Sequence, residues 1–81
     1  MKTTNIEQIK KTRIIEPEFQ AILQLYESRI DAKLTQKELS KKSGIRQSNI
    51  SRIERGTCSP TIHTLAILAL AMNKKLEIKF K

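Results

Sequence analysis

A single cysteine, two glycines, two prolines and no tryptophan leave this sequence without several of the devices that hold small proteins together. Cys58 has no second thiol to bridge, and no set of Cys and His residues has zinc spacing, so neither an internal disulfide nor a structural metal is expected. A reducing compartment fits that pattern. No glycine-rich phosphate loop is present. The most apolar run, Leu65 to Met72, is far shorter than the roughly 20 residues that span a bilayer, and the N-terminus has no apolar signal core. A soluble cytoplasmic protein with no membrane partner is the expectation. At 81 residues the chain suits one domain and is too short for a deep cleft between two. His63 has no Asp or Glu at a helical step and Cys58 has no evident activating group. No catalytic residue, metal or cofactor is therefore expected, and the chain does not read as an enzyme.

What is abundant is positive charge. Sixteen Lys and Arg face eight Asp and Glu, for a net charge of +8. The excess is concentrated: Lys33, Lys37, Lys41, Lys42, Arg46, Arg52 and Arg55 are accompanied only by Glu38 and Glu54. A local positive field attracts a polyanion, and nucleic acid is the commonest one in a cell. Charge alone leaves open a solvated helical surface that binds nothing.

All four glycines and prolines fall where a helix would start or stop, and the chain reads as mostly helical. Asn5, with Gln8 reaching back, could cap a short segment carrying Ile6 and Ile9, too short to be stable alone in water. Residues 1–16 are therefore expected to be a mobile or partner-bound segment. Pro17 suits a first helical turn, and Phe19, Ile22, Leu23, Tyr26 and Ile30 recur at three- and four-residue steps, predicting a helix that ends near Lys33. Thr35 and Glu38 form a capping-box signature for a second helix, which Gly44 ends. A third helix is expected from Gln47 to Arg55, with Ile50 and Ile53 inward and Gly56 after it. Thr61 caps a fourth from Ile62 to about Met72, with Asn73 as a left-handed terminator. Leu76 to Phe80 alternates apolar and polar residues, which predicts a strand needing a partner strand.

Residues 34–73, and in particular Leu34-Thr35-Gln36, Leu39, Gly44-Ile45, Ile50 and Ile53-Glu54-Arg55-Gly56, resemble the Cro/CI-type helix-turn-helix of phage repressors and bacterial regulators. The expected fold class is all-α: a lambda-repressor-like domain of four to five helices over residues 17–73, with a short C-terminal β-strand at 74–81. Leu34, Leu39, Ile45, Ile50 and Ile53 would wedge the second and third helices, with Ser40 and Ser43 small enough to keep them close. Gln47, Ser48, Ser51 and Arg52 then occupy the opposite face of the third helix. They could read base edges in a major groove, Gln47 suiting adenine and Arg52 guanine. An ordinary polar helix face is the alternative.

The resemblance further implies that Gln36 donates to a phosphate and braces Gln47, and that Asn49, Arg55 and Thr57 flank the groove. Such contacts fix register rather than sequence. Lys37 and Lys42 would add longer-range attraction, although solubility alone would explain Lys41 and Lys42. Arg46 stands where the family often has a Ser or Thr cap, so the third helix would fray there or Arg46 would exchange a cap for a phosphate contact. The resemblance also implies a structural ion pair between Arg29 and Glu54.

The fourth helix is apolar on too many sides. Ile62, Leu65, Leu68, Ala69 and Met72 account for a core face, which leaves Ile67 and Leu70, with Ala66 and Ala71, as a second stripe. Together with Leu76, Ile78 and Phe80 it predicts a two-fold homodimer, with paired terminal strands as one way of joining it; a wider core under the N-terminal segment is the alternative. The arrangement, with Glu16-Pro17-Glu18-Phe19 before the first helix, is similar to antitoxins of the HigA type. That resemblance implies a repressor that binds operator DNA, lies on the nucleoid and neutralises a RelE-fold (HigB-like) ribonuclease toxin. A free-standing phage-type regulator and a protein-interaction module that does not bind DNA are the competing readings.

Overall fold

Thr35 decides where the second helix begins, and the reason is local chemistry. Its hydroxyl accepts from the Glu38 amide at 3.0 Å, while the Glu38 carboxylate accepts from the Thr35 amide at 2.8 Å. Two backbone donors that a helix start would leave unpaired are thereby satisfied. A computed structural model describes residues 16–80, and within them four helices follow one another: α1 (Glu16–Asp31), α2 (Gln36–Ser43), α3 (Gln47–Glu54) and α4 (Ile62–Ala71). The N-terminal segment expected at 1–16 lies, but for Glu16, outside the described residues.

The capping bonds hold the Glu38 carboxyl below the ordinary carboxylate range, the backbone bond from Thr35 contributing most. A depressed folded-state pKa means stabilisation that is present above the unfolded value and lost as pH falls through the folded one. We therefore expect a titration followed by carboxyl NMR to give Glu38 a midpoint below that of a model glutamate, with amide shifts at Glu38 following it. Glu38→Gln should remove that transition, and a midpoint at the ordinary value would contradict the cap.

Each helix ends on a residue that reverses the chain. Gly44 has φ +78°, and its amide donates to the Ser40 carbonyl. A side chain there would meet nothing within 4 Å, so glycine is required by the backbone angle and not by crowding. Lys33 and Asn73 also take left-handed angles, at φ +58° and +60°. Beyond each, an amide reaches back to the previous turn, Leu34 to Arg29 and Lys74 to Ala69. Thr61 caps α4 by accepting from the Thr64 amide. Arg46 supplies no side-chain cap to α3.

The core is built from Ile22 and Leu25 of α1, Leu39 of α2, Ile50 and Ile53 of α3, and Leu68 and Met72 at the end of the chain's helical part. Phe19, Leu34, Ile45, Cys58, Leu65 and Ala71 pack around them. α2 packs against both α3 and α4, and α1 against α3. Two expectations change. The buried stripe of α1 is Ile22, Leu25 and Arg29, whereas Tyr26 and Ile30 are largely exposed. Apolar residues lie on both sides of the true stripe, so spacing cannot choose between them; Arg29 turns inward to meet Glu54 and sets the rotation. On α4, Ile62 is 64% exposed and joins Ala66 and Leu70 at four-residue steps rather than the core.

The strand expected in the C-terminal segment is absent: no β-strand occurs among the described residues, and 74–80 run without regular structure. A strand exists only by hydrogen bonding to a neighbour, and the described residues supply none. No helix among the described residues is long and apolar enough to cross a membrane.

Candidate nucleic-acid interface

α3 follows from its own spacing. Ile50 and Ile53 lie three apart and are almost wholly buried, so the opposite face carries Gln47, Ser48, Ser51 and Arg52. Gln47, Ser48 and Arg52 are exposed, and Ser51 is half-buried. Eight helical residues form a rod about 12 Å long, slender enough for a major groove about 12 Å wide.

The turn into this rod is held by two serines. Ser40 Oγ donates to the Ile45 carbonyl, and Ser43 Oγ accepts from the Ile45 amide at 3.1 Å. Both serines were expected only to be small. Their hydrogen bonds fix the tight connection between α2 and α3, a role that hydroxyls at a helix end are well suited to fill.

Below the rod sits a charged network. Arg29 Nε donates to Glu54 Oε2 at 2.8 Å and Nη2 to Oε1 at 2.9 Å, a two-pronged pair. Arg29 Nη1 also donates to the Leu34 carbonyl at 2.9 Å, so one guanidinium ties α1, the start of the turn before α2, and α3. The Glu54 hydrogen bonds hold the Arg29 pKa above its ordinary value. Tyr26 covers the guanidinium, with the ring centroid 5.4 Å away, which explains why this aromatic residue leaves the core.

Gln36 completes the network. Its Nε2 donates to Glu54 Oε1 at 2.9 Å, and no hydrogen bond joins Gln36 to Gln47 among the described residues. The bracing group is thus Glu54. A carboxylate only accepts, so the amide nitrogen must face it, and one of the two N–H bonds of that nitrogen remains available.

A family model described as Helix-turn-helix matches residues 25–79. The chain belongs to this family. Its Helix-turn-helix unit is α2 and α3, with Gly44 and Ile45 in the turn. An uncharacterized HTH-type transcriptional regulator, y4dL, of Sinorhizobium fredii is 43% identical over 55 residues, covering 68% of this chain and 28% of that protein. An uncharacterized HTH-type transcriptional regulator of Haemophilus influenzae is 39% identical over 57 residues, covering 70% of this chain and 58% of that protein. The chain thus spans less than two thirds of the length of either relative. No solved structure matches it.

Around the Helix-turn-helix unit, Lys37, Lys42, Arg46 and Arg55 are exposed and Asn49 is half-buried. Thr57 is exposed, but its hydroxyl and its amide both donate to the Arg52 carbonyl at 3.0 Å; the residue closes the end of α3. The loop beyond is tied to α1 by Ser59, whose Oγ donates to Glu18 Oε2. Sequence spacing gives no signal for that contact across 41 residues. Of the apolar residues assigned to an interface, Leu70, Ile78 and Phe80 are 68%, 52% and 96% exposed, and Ile67 and Leu76 are half-buried. They do not form part of the core cluster.

Proposed function

We propose that this protein is a sequence-specific repressor of transcription that binds duplex DNA by laying α3 in the major groove. The observation that carries this reading is the two-sidedness of α3: Ile50 and Ile53 fix one face in the core and leave Gln47, Ser48, Ser51 and Arg52 facing outward on a rigid element. Gln47 and Arg52 read base edges. Gln36, Asn49, Arg46 and Arg55 engage phosphates, Lys37 and Lys42 add attraction, and Thr57 serves by ending the helix. Both relatives are named HTH-type transcriptional regulators, which supports the same function. The protein acts in the cytoplasm, on the nucleoid.

Two recognition helices reach two half-sites in a two-fold homodimer. The exposed apolar side chains of α4 and of the C-terminal segment supply its surface, with residues 17–73 as the DNA-binding domain and 74–81 as the dimerisation element. The finer reading is that of a HigA-type antitoxin that masks a RelE-fold ribonuclease toxin and represses the operon they share; it rests on the resemblance of the whole arrangement to that group. A neighbouring reading frame for a small basic protein, and growth arrest by that protein relieved on co-expression, would test it. An independent gene with no such neighbour would leave a free-standing regulator.

DNA binding itself is tested by mobility shift on the duplex upstream of the gene. Affinity should fall steeply with salt, with a slope in log K against log salt of about −0.9 per phosphate neutralised. Arg46→Ala should lower the magnitude of that slope by about one and weaken all sequences alike. Affinity insensitive to salt, or a loss confined to one sequence, would contradict the assignment.

A further inference from the structure

The C-terminal segment carries a strand pattern without regular structure. It leaves α4 at Asn73 and runs along α1, forming with it an open groove of about 830 Å³ whose walls include Gln20, Ala21, Gln24, Leu65, Met72 and Leu76. Among the described residues, no backbone amide from Lys75 to Phe80 donates to another backbone group. In an extended conformation, alternation would place Leu76, Ile78 and Phe80 on one face and Glu77 and Lys79 on the other. Leu76 is half-buried, Ile78 is about half exposed and Phe80 is almost wholly exposed. Such a segment has both the unpaired backbone groups and the apolar face that strand addition requires.

We infer that residues 76–80 of two copies pair as antiparallel strands about a two-fold axis passing through Ile78. This rests on the dimer proposed above and specifies its register. Residues directly opposite each other in an antiparallel pair share a face, so the register decides which charges meet. With Ile78 opposite Ile78 of the second copy, Leu76 lies opposite Phe80, and Glu77 opposite Lys79, twice by symmetry. Every residue from 76 to 80 is then matched, apolar with apolar and acid with base.

The neighbouring registers do worse. Moving the axis to Glu77 sets Glu77 against Glu77 and Lys75 against Lys79, and moving it to Lys79 sets Lys79 against Lys79. Placing the axis between two residues opposes apolar to charged side chains, the one-residue slip that strand pairing penalises. With the axis on Leu76, Lys75 would meet Glu77, but Lys74 faces Ile78, and Lys79 and Phe80 fall opposite Asn73 and Met72 at the end of α4. The occupant is therefore a second copy of this chain, identified by the complementarity of its own charges.

Sedimentation equilibrium of the full chain at low salt tests the register. Glu77→Lys and Lys79→Glu should each weaken the dimer roughly tenfold, because each sets two like charges opposite each other. Combining them in one chain should restore the parent affinity. Mixing the two single variants should yield a heterodimer in excess over either homodimer by native mass spectrometry. Lys79→Glu lowers the net charge of a strongly basic chain, so general repulsion alone would tighten its dimer; tightening would overturn the proposal. A dimer indifferent to these exchanges, or a double variant no better than the singles, would sink the register and leave the dimer standing. A chain that stays monomeric at every concentration would sink both.

Discussion

Arg29→Ala, like Glu54→Ala, should lower the unfolding free energy by about 3–5 kcal/mol, the range found when one partner of a buried ion pair is removed. The side chains of Arg29 and Glu54 are 10% and 5% exposed, so whichever charge remains has little water to turn to. Removing Arg29 leaves Glu54 with the Gln36 amide as its remaining side-chain partner and the Leu34 carbonyl without the guanidinium. Typical domains have only about 5–15 kcal/mol in total, and this one is small, so either variant should be largely unfolded near physiological temperature. Urea denaturation followed by circular dichroism measures the loss. Arg29→Met combined with Glu54→Leu should recover most of it, because an apolar pair needs no compensation for desolvation. Single variants within about 1 kcal/mol of the parent would show that the pair is not the fixed joint between α1 and α3.

Arg52→Ala and Gln47→Ala should each weaken operator binding roughly five- to 150-fold, the equivalent of the approximately 1–3 kcal/mol carried by a good base contact. Their unfolding midpoints should hardly move, since both residues are exposed and neither belongs to the core or to the apolar residues packed on it. That combination separates recognition from folding. The operator is first located by footprinting DNA upstream of the gene, and the same fragment with its central base pairs scrambled serves as reference. Loss should appear on the operator and be small on the scrambled duplex. Equal loss on both would recast Arg52 as a phosphate contact, and no loss on either would remove α3 from the interface.

The contrast between these two variants reflects how the fold was legible in the sequence. Caps were legible because they depend on neighbours in the chain: Thr35 with Glu38, Gly44 and Asn73 each act within a few residues. Ile50 and Ile53 were legible because α3 has apolar residues on one side only. α1 and α4 carry them on several sides, and there periodicity fails. Leu25 rather than Tyr26 enters the core because Arg29 must reach Glu54, a contact 25 residues away in sequence. Ile62 stands out of the core although its spacing fits it. The Arg29–Glu54 joint came from the family resemblance, since spacing cannot pair residues so far apart, and the acceptor for Gln36 was missed for the same reason. The terminal strand pattern is genuine in the sequence, but a pattern that needs a second strand is not completed by the described residues.

On the proposed function, duplex DNA lies against the outward face of α3. Amide and side-chain NMR shifts of the labelled protein, titrated with a short random duplex at low salt, test it without knowledge of the operator. The largest changes are expected at Gln47, Ser48, Ser51 and Arg52, with smaller ones at Gln36, Arg46 and Arg55, all diminishing as salt is added. Changes centred instead on Lys74 to Lys79, with α3 unmoved, would contradict it.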